Sequence, residues 1–478
     1  MVGEQMNEVP RMLAVLKEHF QLPGFRNNQL QAINATLQGV DSIVILPTGA
    51  GKSLTFQFPP HMRDPAFTVV ISPLLALMKD QMEKCLDRGV EAVMFNSDCS
   101  DEQKCKIVSE LAATEGPCFK LLYTTPESLR QPRLRDALKE AYLQGSLLSF
   151  AIDEAHCVSE WGHDFRPAYL ELATLRADFP STPIAALTAS CTAAVQRSIR
   201  EVLQLRTPQV IKASFNRPNM RYVVRSKELL AATSGGAEGR SSSSSGSGNQ
   251  AEDELVLADL VAWMEARPGE CGIIYARLRA TCDWLGRELS NLDIEVGVYH
   301  AGKDSMQRAR VQREWSEGSI SVVVATVAFG MGVDRADVRW VVHWNAPASM
   351  EGYYQESGRA GRDSLPCTAL LYGSAADLES ARRMERGTRA GAVAAVADFV
   401  TSARCRRKAI LAFFGEARGP CGAVAGEELC DYCQSPAAVR AALTALGRLE
   451  EKRSVAAAIR AHMAQVAGAG SEGPVAGG

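Results

Sequence analysis

The chain has 478 residues, of which 46% are hydrophobic and 22% are charged, and its formal net charge is -3. The length predicts two or three domains of ordinary globular composition. No apolar run reaches the roughly 20 residues of a membrane helix, so we expect no membrane association. The acidic net charge gives no sign of nucleic-acid binding, although it does not exclude a local basic groove.

The first half of the chain alternates short apolar runs with helical patterns. Residues 1–20 predict an amphipathic helix and lack the apolar core of a signal peptide. Five later runs are continuously apolar, which is typical of strands buried on both faces of a parallel sheet. These runs are residues 43–46, 69–71, 121–123, 150–152 and 184–187.

A change of composition interrupts this alternation. Residues 231–254 are rich in Gly and Ser and contain few apolar side chains. Such a segment buries too little apolar surface to offset the entropy of ordering it, so we predict a flexible linker or loop. Strand signals then resume at residues 272–275, 296–299, 322–325, 340–342 and 369–372, which predicts a second α/β half.

The strand signals end near Met384. A helical stretch leads into a cysteine cluster that ends at Cys433. Residues 437–466 are rich in Ala, Leu, Arg and Glu and predict one or two helices, and the Gly-rich residues 468–478 are expected to be disordered.

A glycine-rich segment follows the first predicted strand and precedes a helical pattern. Backbone N–H groups in such a loop form a nest for anions beside a helix start. Lys52 would reach the β and γ phosphates of a nucleotide, and the Ser53 hydroxyl would help to hold Mg²⁺. The strand–loop–helix context disfavours a chance glycine turn. The segment is Pro47-Thr48-Gly49-Ala50-Gly51-Lys52-Ser53, and Leu46 stands where the strict pattern has glycine.

Two adjacent carboxylates, Asp153 and Glu154, end the fourth predicted strand. Beside a phosphate loop, Asp153 would bind Mg²⁺ directly or through water, and Glu154 would orient or activate the attacking water. Taken alone, the same acidic turn could equally well cap a helix.

Aromatic and basic side chains follow these carboxylates directly, at Trp161, His163, Phe165 and Arg166. Bases can stack on such rings, and an arginine can contact phosphate or stack. The alternative is that both aromatic rings anchor the core, and residue chemistry alone slightly favours this for Phe165.

Four of the 13 cysteines have the spacing of metal ligands. Four thiolates suit structural Zn²⁺ in tetrahedral geometry. A redox role for the CxxC pair is the alternative, but no thioredoxin-like βαβ pattern surrounds it. The predicted ligands are Cys405, Cys421, Cys430 and Cys433, whereas Cys85, Cys191 and Cys271 are expected to be buried thiols.

Together these motifs resemble the RecQ family of ATP-dependent DNA helicases, within superfamily 2. The run 153–167 looks like the family's Walker B motif and aromatic-rich loop, and the cysteine cluster looks like its zinc-binding subdomain. The resemblance covers roughly residues 20–435. Its other motifs match residues 25–29, 72–74, 125–127, 187–190, 215–219, 299–302, 325–334 and 354–363.

The resemblance also implies roles for individual residues. Gln29 would read the adenine edge with support from Arg26, and Gln355 would contact the nucleotide. Ser190 stands where the family more often has threonine. The residues that would couple DNA binding to hydrolysis are Trp161, His163, Phe165, Arg166 and Thr188.

Two arginines, Arg359 and Arg362, close the last of these motifs. Charge grows on the transferred phosphoryl oxygens, and a cation from the opposite lobe stabilises that charge when the cleft closes. We favour Arg362 as this arginine finger, with Arg359 in support. An isolated pair at this spacing would more often lie on a solvated helix face.

The predicted fold is α/β, with two RecA-like parallel-sheet lobes followed by a small helical zinc-binding subdomain. We place the N-terminal helix at 1–23, the ATP-binding first lobe at 24–222, a flexible linker at 223–254 and the second lobe at 255–383. The zinc-binding subdomain is placed at 384–435, and a C-terminal helix and disordered tail at 436–478.

The resemblance implies an ATP- and Mg²⁺-dependent helicase that moves 3′ to 5′ on single-stranded DNA and acts on branched DNA in recombination and repair. It also implies a nuclear location and a monomer, and leaves protein partners open. Few residues follow Cys433, which resembles the short branch of the family without a winged-helix wedge. The alternatives are an RNA helicase, or a DNA-annealing protein whose ATPase is a release switch.

Overall fold

The structure is a computed structural model that describes residues 2–159, 164–233, 248–330, 335–384 and 391–469. These residues form two parallel sheets with flanking helices, followed by a helical region that contains the clustered cysteines. The predicted fold class of two RecA-like lobes and a small helical subdomain is therefore confirmed. Among the described residues, no helix is both long and apolar enough to cross a membrane.

The first sheet has seven strands, and all its pairings are parallel. The strands are β1 (Ser42–Ile45), β2 (Phe67–Ile71), β3 (Ala92–Phe95), β4 (Leu121–Thr124), β5 (Leu147–Ile152), β6 (Ile184–Thr188) and β7 (Gln209–Lys212). Their order is β3-β4-β2-β5-β6-β1-β7. The five predicted runs are confirmed as β1, β2, β4, β5 and β6, and every residue of these strands is buried.

Nine α-helices are described in the first lobe. They are α1 (Val2–Phe20), α2 (Asn27–Leu37), α3 (Leu54–Gln57), α4 (Leu75–Leu86), α5 (Asp101–Leu111), α6 (Pro126–Leu129), α7 (Pro132–Leu143), α8 (Leu175–Asp178) and α9 (Ala193–Val202). Short 3₁₀ helices lie at Pro59–Met62, Ala155–Val158 and Pro167–Thr174. The amphipathic prediction for α1 is confirmed, because Met12, Leu16 and Phe20 are buried in the core.

The second sheet has six strands, all parallel to their neighbours. They are β8 (Met220–Ser226), β9 (Cys271–Tyr275), β10 (Val296–Tyr299), β11 (Val322–Ala325), β12 (Val338–His343) and β13 (Cys367–Gly373), in the order β10-β11-β9-β12-β13-β8. The accompanying helices are α10 (Lys227–Thr233), α11 (Gly248–Glu265), α12 (Arg279–Asn291), α13 (Ser305–Glu317) and α14 (Met350–Ser357).

The predicted boundaries between the lobes are wrong in detail. β8 pairs along its whole length with β13, so residues 220–222 belong to the second sheet and not to the first lobe. The predicted linker 223–254 contains the end of β8, all of α10 and the start of α11. The linker was predicted from its Gly- and Ser-rich composition, and its bounds included neighbouring residues that form a strand and two helices. The Gly- and Ser-rich residues 234–247 lie outside the described residues.

The helical region at residues 375–434 is here called the cysteine module. It contains α15 (Ala375–Met384), α16 (Ala392–Thr401), α17 (Arg406–Phe413) and α18 (Asp431–Gln434), and α19 (Pro436–Ala469) follows it as one continuous helix. The predicted disorder at 468–478 lies almost entirely outside the described residues. Cys85, Cys191 and Cys271 are buried free thiols, as predicted.

One hydrophobic core extends through both lobes and into the cysteine module. At its centre, the ring of Phe215 stacks on the ring of Phe414 with centroids 4.5 Å apart. The ring of Tyr354 contacts both, at 5.5 Å from Phe215 and 5.1 Å from Phe414. Separate clusters fill the outer face of each sheet. These three rings therefore link the lobes to the cysteine module within the core, and Tyr353 adds a second aromatic contact, with Phe399 at 5.2 Å.

Candidate active site between the two lobes

A cleft of about 990 Å³ opens where strands of both sheets reach their carboxyl ends. Its wall includes residues that follow β1 and β5 in the first lobe, and residues at the ends of β9 and β12 in the second. The carboxyl ends of parallel strands are the usual place for a ligand site in α/β proteins. Among the predicted nucleotide-site residues that line it are Arg26, Gln29, Thr48, Gly49, Gly51, Lys52, Ser53, Asp153, Glu154, Gln355, Arg359 and Arg362.

The phosphate loop depends on two glycines with positive φ. Gly49 has φ +79° and Gly51 has φ +77°, a conformation that other residues rarely adopt. A Cβ built on Gly51 would lie 2.3 Å from Nε2 of Gln29, so a larger residue here would displace the Gln29 amide from the loop. The loop leads into the four-residue helix α3 and so has the predicted strand–loop–helix context.

Arg26 and Gln29, the predicted adenine-reading residues, lie directly against this loop. Gln29 is buried, and its Nε2 donates to the carbonyl of Gly51 at 3.0 Å and more weakly to that of Ala50 at 3.4 Å. Its Oε1 accepts from the backbone N–H of Arg26 at 2.9 Å. The Arg26 guanidinium donates to the carbonyl of Gly49 at 2.9 Å. The structure thus brings the predicted adenine and phosphate sites together.

Lys52 points back across the loop, where its Nζ donates to the carbonyl of Leu46 at 3.0 Å. Burial lowers the pKa of Lys52, and the nearby Glu154 and Asp153 carboxylates oppose that effect. The ammonium group therefore lies between the phosphate loop and the two acidic side chains. An anionic phosphate in the cleft would add a further favourable partner for it.

Asp153 and Glu154 follow β5 at the strained position that catalytic residues often adopt. Glu154 has φ +49°, a left-handed conformation that costs energy for a residue with a side chain. Burial and the neighbouring Glu154 raise the pKa of Asp153 to about 6, although Lys52 opposes this. A raised pKa in a cleft is typical of a functional carboxylate.

Gln81 on α4 is a site residue that the sequence did not reveal. Its Nε2 donates to Oδ2 of Asp153 at 3.3 Å, and the backbone N–H of Glu154 donates to Oδ1 at 3.0 Å. Both oxygens of the Asp153 carboxylate are therefore oriented. The only signal was that α4 follows the motif at residues 72–74, which predicts a nearby helix but no role for one glutamine on it.

A series of polar contacts connects the acidic turn with the second lobe. His156 Nδ1 lies 3.2 Å from Oε2 of Glu154 and 3.1 Å from the hydroxyl of Thr188. The Thr188 hydroxyl donates to the carbonyl of Ser190 at 2.9 Å. In turn, Nε2 of Gln355 donates to the Ser190 hydroxyl at 3.3 Å across the cleft. Thr188 therefore lies where a coupling residue is expected.

The aromatic-rich loop is described only in part, since Trp161 and His163 lie outside the described residues. Phe165 is half-buried and is absent from the described hydrophobic clusters, which disfavours a role as a core anchor. Arg166 donates to the carbonyl of Pro73 at 2.7 Å and to Asp164 at 3.1 Å. It thus ties this loop to the motif at residues 72–74.

The two arginines of the second lobe are held differently. Arg359 donates to the carbonyl of Gly330 within its own lobe. Arg362 lies against the phosphate loop, because a Cβ built on Gly49 would be only 3.4 Å from its Cγ. The Thr48 hydroxyl also approaches the carbonyl of Gly358 at 3.5 Å, at the start of the same turn. Arg362 is thus better placed than Arg359 to reach a bound phosphate.

Residues 358–362, here called the arginine turn, are held by Arg217 from the segment that connects the lobes. The Arg217 guanidinium donates to the carbonyls of Gly358 at 3.1 Å, Ala360 at 2.7 Å and Gly361 at 2.9 Å. Residues 215–219 resemble a motif of the RecQ family, but the resemblance implies no function for Arg217. A lone arginine between Asn216 and Pro218 gave no signal for these contacts.

The four predicted zinc ligands are brought together within the cysteine module. Their sulfur atoms all lie within 4.8 Å of one another, and Cys405 Sγ is 3.4 Å from Cys421 Sγ and 3.9 Å from Cys430 Sγ. Four thiolates around tetrahedral Zn²⁺, with Zn–S bonds of about 2.3 Å, lie about 3.8 Å apart. The donor set and its spacing therefore fit zinc.

Three family models match successive parts of the chain. A DEAD/DEAH box helicase model matches residues 26–201, a helicase conserved C-terminal domain model matches residues 254–364, and a RecQ zinc-binding model matches residues 374–434. The fold is similar to that of the DUF1998 helicase MrfA, solved bound to DNA, with a TM-score of 0.58 and 18% identity over 78% of this chain and 52% of that one. The chain thus has the fold and the order of domains of two-lobed helicases.

Curated relatives give a closer comparison. The chain is 37% identical to the ATP-dependent DNA helicase RecQ of Haemophilus influenzae, over 90% of this chain and 64% of the relative. It is 38% identical to the ATP-dependent DNA helicase Q5 of Mus musculus, over 92% of this chain and 44% of the relative. With the zinc-binding match, these relatives make the chain similar to RecQ helicases over most of its length. It spans less than two thirds of the length of these relatives.

Proposed function

We propose that this protein is an ATP-dependent DNA helicase that moves along single-stranded DNA and unwinds duplex or branched DNA. The observation that carries the proposal is the convergence of three elements on one cleft. These are the phosphate loop with Lys52, the Asp153–Glu154 pair, and an arginine turn from the opposite lobe. ATP bound there would contact both lobes. Its hydrolysis would therefore change the interactions that hold the lobes together.

The proposed chemistry assigns each group one task. The loop N–H groups and Lys52 hold the phosphates, Glu154 orients or activates the attacking water, and Arg362 stabilises charge on the transferred phosphoryl group. Mg²⁺, for which Ser53 and Asp153 are the proposed ligands, would neutralise charge on the phosphate oxygens. Arg26, Gln29 and Gln355 would complete the nucleotide site.

Coupling to DNA is proposed for the loop that begins at Trp161 and includes His163, Phe165 and Arg166. Support comes from Arg166, whose bond to Pro73 connects this loop to the motif at residues 72–74, which resembles a motif that grips the DNA strand in the RecQ family. Further support comes from the polar contacts that connect Glu154 through His156 and Thr188 to the opposite lobe. A conformational change in this loop would thus alter the position of the Glu154 carboxylate.

The direction of movement, the nucleic-acid substrate and the cellular process are finer parts of the proposal. Relatives named as DNA helicases support action on DNA, and we propose 3′ to 5′ movement, a role in recombination and repair, a monomer and a structural zinc ion. The relatives include bacterial RecQ, mouse Q5 and the Xenopus laevis RecQ-like DNA helicase BLM, so a nuclear location also stays a proposal.

Strand displacement tests this function directly. Duplexes with a 3′ tail, a 5′ tail or an RNA 3′ tail are incubated with ATP and Mg²⁺, and release of the labelled strand is followed. We expect release from the 3′-tailed DNA substrate alone. Release from the 5′-tailed duplex would overturn the polarity, and preference for the RNA tail would favour an RNA helicase. ATP hydrolysis without release, together with ATP-independent annealing, would favour the annealing protein.

A further inference from the structure

Arg407 lies in the cysteine module but makes most of its hydrogen bonds outside the cysteine cluster. Its side chain is almost completely buried. One guanidinium nitrogen donates to Oδ1 of Asn216 at 2.9 Å and to the carbonyl of Arg217. The other donates to the carbonyl of Met220 at 2.7 Å and to that of Glu428 at 2.9 Å. Three of these acceptors belong to residues 215–220, here called the passage segment, which connects the lobes.

The charge of Arg407 is balanced locally. Its Nε lies 3.4 Å from Oε1 of the fully buried Glu427 carboxylate and donates to Sγ of Cys421, also at 3.4 Å. Glu427 also accepts from the side-chain amide of Asn216 at 3.3 Å. Each nitrogen of the planar guanidinium thus donates to at least one acceptor, which fixes its orientation. A lysine ammonium has another shape and cannot reproduce this set of bonds.

The passage segment in turn holds the arginine turn. The three Arg217 hydrogen bonds described above end on carbonyls between Arg359 and Arg362 or next to them. Asn219 adds a hydrogen bond from its side-chain amide to the carbonyl of Gly361 at 2.9 Å. Tyr354, on the helix that precedes the turn, donates to the carbonyl of Phe215 at 3.0 Å. Each contact restrains the turn relative to the passage segment.

These contacts form a continuous path from the cysteine module to the cleft. Arg407 holds the Asn216 side chain and the backbone carbonyls of Arg217 and Met220. Arg217 in turn holds the arginine turn, and the turn presents Arg362 to the phosphate loop. A misplacement of about 1 Å in a catalytic group can cost on the order of a hundredfold in rate. The path therefore ends at a group whose position matters for the rate.

We propose that Arg407 is a positioning residue for ATP hydrolysis, which acts through Asn216 and Arg217 to set the arginine turn. The inference rests on the proposed ATPase function. It assigns the cysteine module a role at the second-lobe arginines in addition to its structural role. Arg407 does not line the cleft, so its loss should lower kcat and leave KM for ATP nearly unchanged.

Arg406 offers a matched control, because it precedes Arg407 on α17 and is equally buried. Its Nε donates to Asp431 at 3.0 Å, and its Nη1 donates to the carbonyls of Phe399 at 2.6 Å and Ser402 at 3.0 Å. These partners all lie in the cysteine module. Replacement of Arg406 therefore tests the integrity of the module, and replacement of Arg407 also tests the path to the arginine turn.

The test compares the full chain with R407K, R406K, R217K and the double variant R217K/R407K. Single-stranded-DNA-stimulated ATP hydrolysis gives kcat and KM, and zinc content and DNA affinity are measured on the same preparations. We expect kcat of R407K to fall about tenfold, while KM, zinc content and DNA affinity stay within about twofold of the parent and of R406K. The double variant should be no slower than R217K, because both residues act along one path.

A kcat of R407K equal to that of R406K would overturn the inference, and so would full additivity in the double variant. If R407K loses zinc, Asn216→Ser removes one acceptor and leaves Arg407 in place. That variant should keep its zinc and lose about threefold in kcat, and an unchanged kcat would overturn the inference. A parent without DNA-stimulated hydrolysis would overturn the proposed function as well, so the two failures are distinguishable.

Discussion

The two walls of the cleft are built in different ways. In the first lobe, the catalytic groups hold one another. Gln29 bonds to the phosphate loop, Lys52 lies beside the carboxylates, and Asp153 accepts from its own neighbour Glu154. In the second lobe, the arginine turn is held by Arg217 from the passage segment, and Arg407 of the cysteine module holds that segment.

This difference teaches where each wall is vulnerable. The first wall depends on short motifs whose members contact each other directly, so a substitution there should act locally. The second wall depends on backbone carbonyls that are oriented by guanidinium groups far away in the sequence. Changes in the cysteine module should therefore reach the second wall before the first.

The largest effect expected within the second wall is at its tip. Arg362→Ala should lower kcat about a thousandfold with little change in KM, because an arginine finger stabilises charge that appears in the transition state. Arg359→Ala should cost clearly less, since Arg359 bonds to Gly330 in its own lobe. Steady-state ATP hydrolysis with saturating single-stranded DNA measures both. A larger loss for Arg359→Ala would reverse the assignment of the finger.

Loss of a zinc ligand should weaken the support of that wall. Cys430→Ser removes a buried thiolate from the cluster and should release the zinc and lower the unfolding free energy by at least about 3 kcal/mol. Zinc content and denaturant unfolding measure this. Cys118→Ser, at an exposed thiol, is the control and should change neither. Retention of stoichiometric zinc by Cys430→Ser would contradict the four-thiolate site.

The first wall should show a conflict between stability and activity at Asp153. Burial and Glu154 raise the pKa of Asp153 to about 6 from 3.8. Asp153 is therefore ionised at pH 7.5, but its ionisation costs more free energy in the folded state than in the unfolded state. Without metal, Asp153→Asn should raise the unfolding free energy by about 2 kcal/mol at pH 7.5 and abolish ATP hydrolysis. The stability difference should shrink between pH 6 and pH 4, as the parent takes up its proton.

The control for this prediction is Asp41→Asn. Asp41 is also buried, but it accepts from Arg176 at 2.7 Å and from two backbone N–H groups. Its replacement should therefore destabilise the protein at pH 7.5. Denaturant unfolding in EDTA gives both values, and equal destabilisation by the two substitutions would contradict the account of Asp153.

The smallest effect is expected at the adenine end of the first wall. Gln29→Ala should reduce the preference for ATP over GTP about tenfold, because an adenine edge would lose its hydrogen-bonding partner. Gln38→Ala, at the exposed C-terminal end of the same helix, should leave the preference unchanged. Ratios of kcat/KM for the two nucleotides provide the measurement. An unchanged ratio for Gln29→Ala would remove Gln29 from adenine recognition.

Sequence patterns predicted the central strands better than the edges. Each of the five predicted strands of the first sheet lies between two neighbours and is fully buried, so its apolar run is continuous. β3 and β7 were missed, and both are edge strands; three of the four residues of β7 are exposed. β8, at the edge of the second sheet, was divided between the first lobe and the linker for the same reason.

The candidate site follows a similar rule. The phosphate loop, the acidic pair, the arginine pair and the four cysteines were predictable, because each is a short motif whose chemistry requires those residue types. Gln81, Arg217 and Arg407 were not, since each acts through contacts with residues distant in sequence. Single polar residues of this kind carry no local pattern, and the fold alone brings them to their partners.

The most direct test of the account is ATP hydrolysis by the parent, Lys52→Ala and Lys106→Ala, each with and without single-stranded DNA. Lys106 is highly exposed on α5 and serves as the control. The account predicts hydrolysis that rises with single-stranded DNA in the parent and in Lys106→Ala, and a loss of at least about a thousandfold in Lys52→Ala. A rate of hydrolysis that does not rise with single-stranded DNA, or that is unchanged in Lys52→Ala, would contradict a DNA-coupled motor at this cleft.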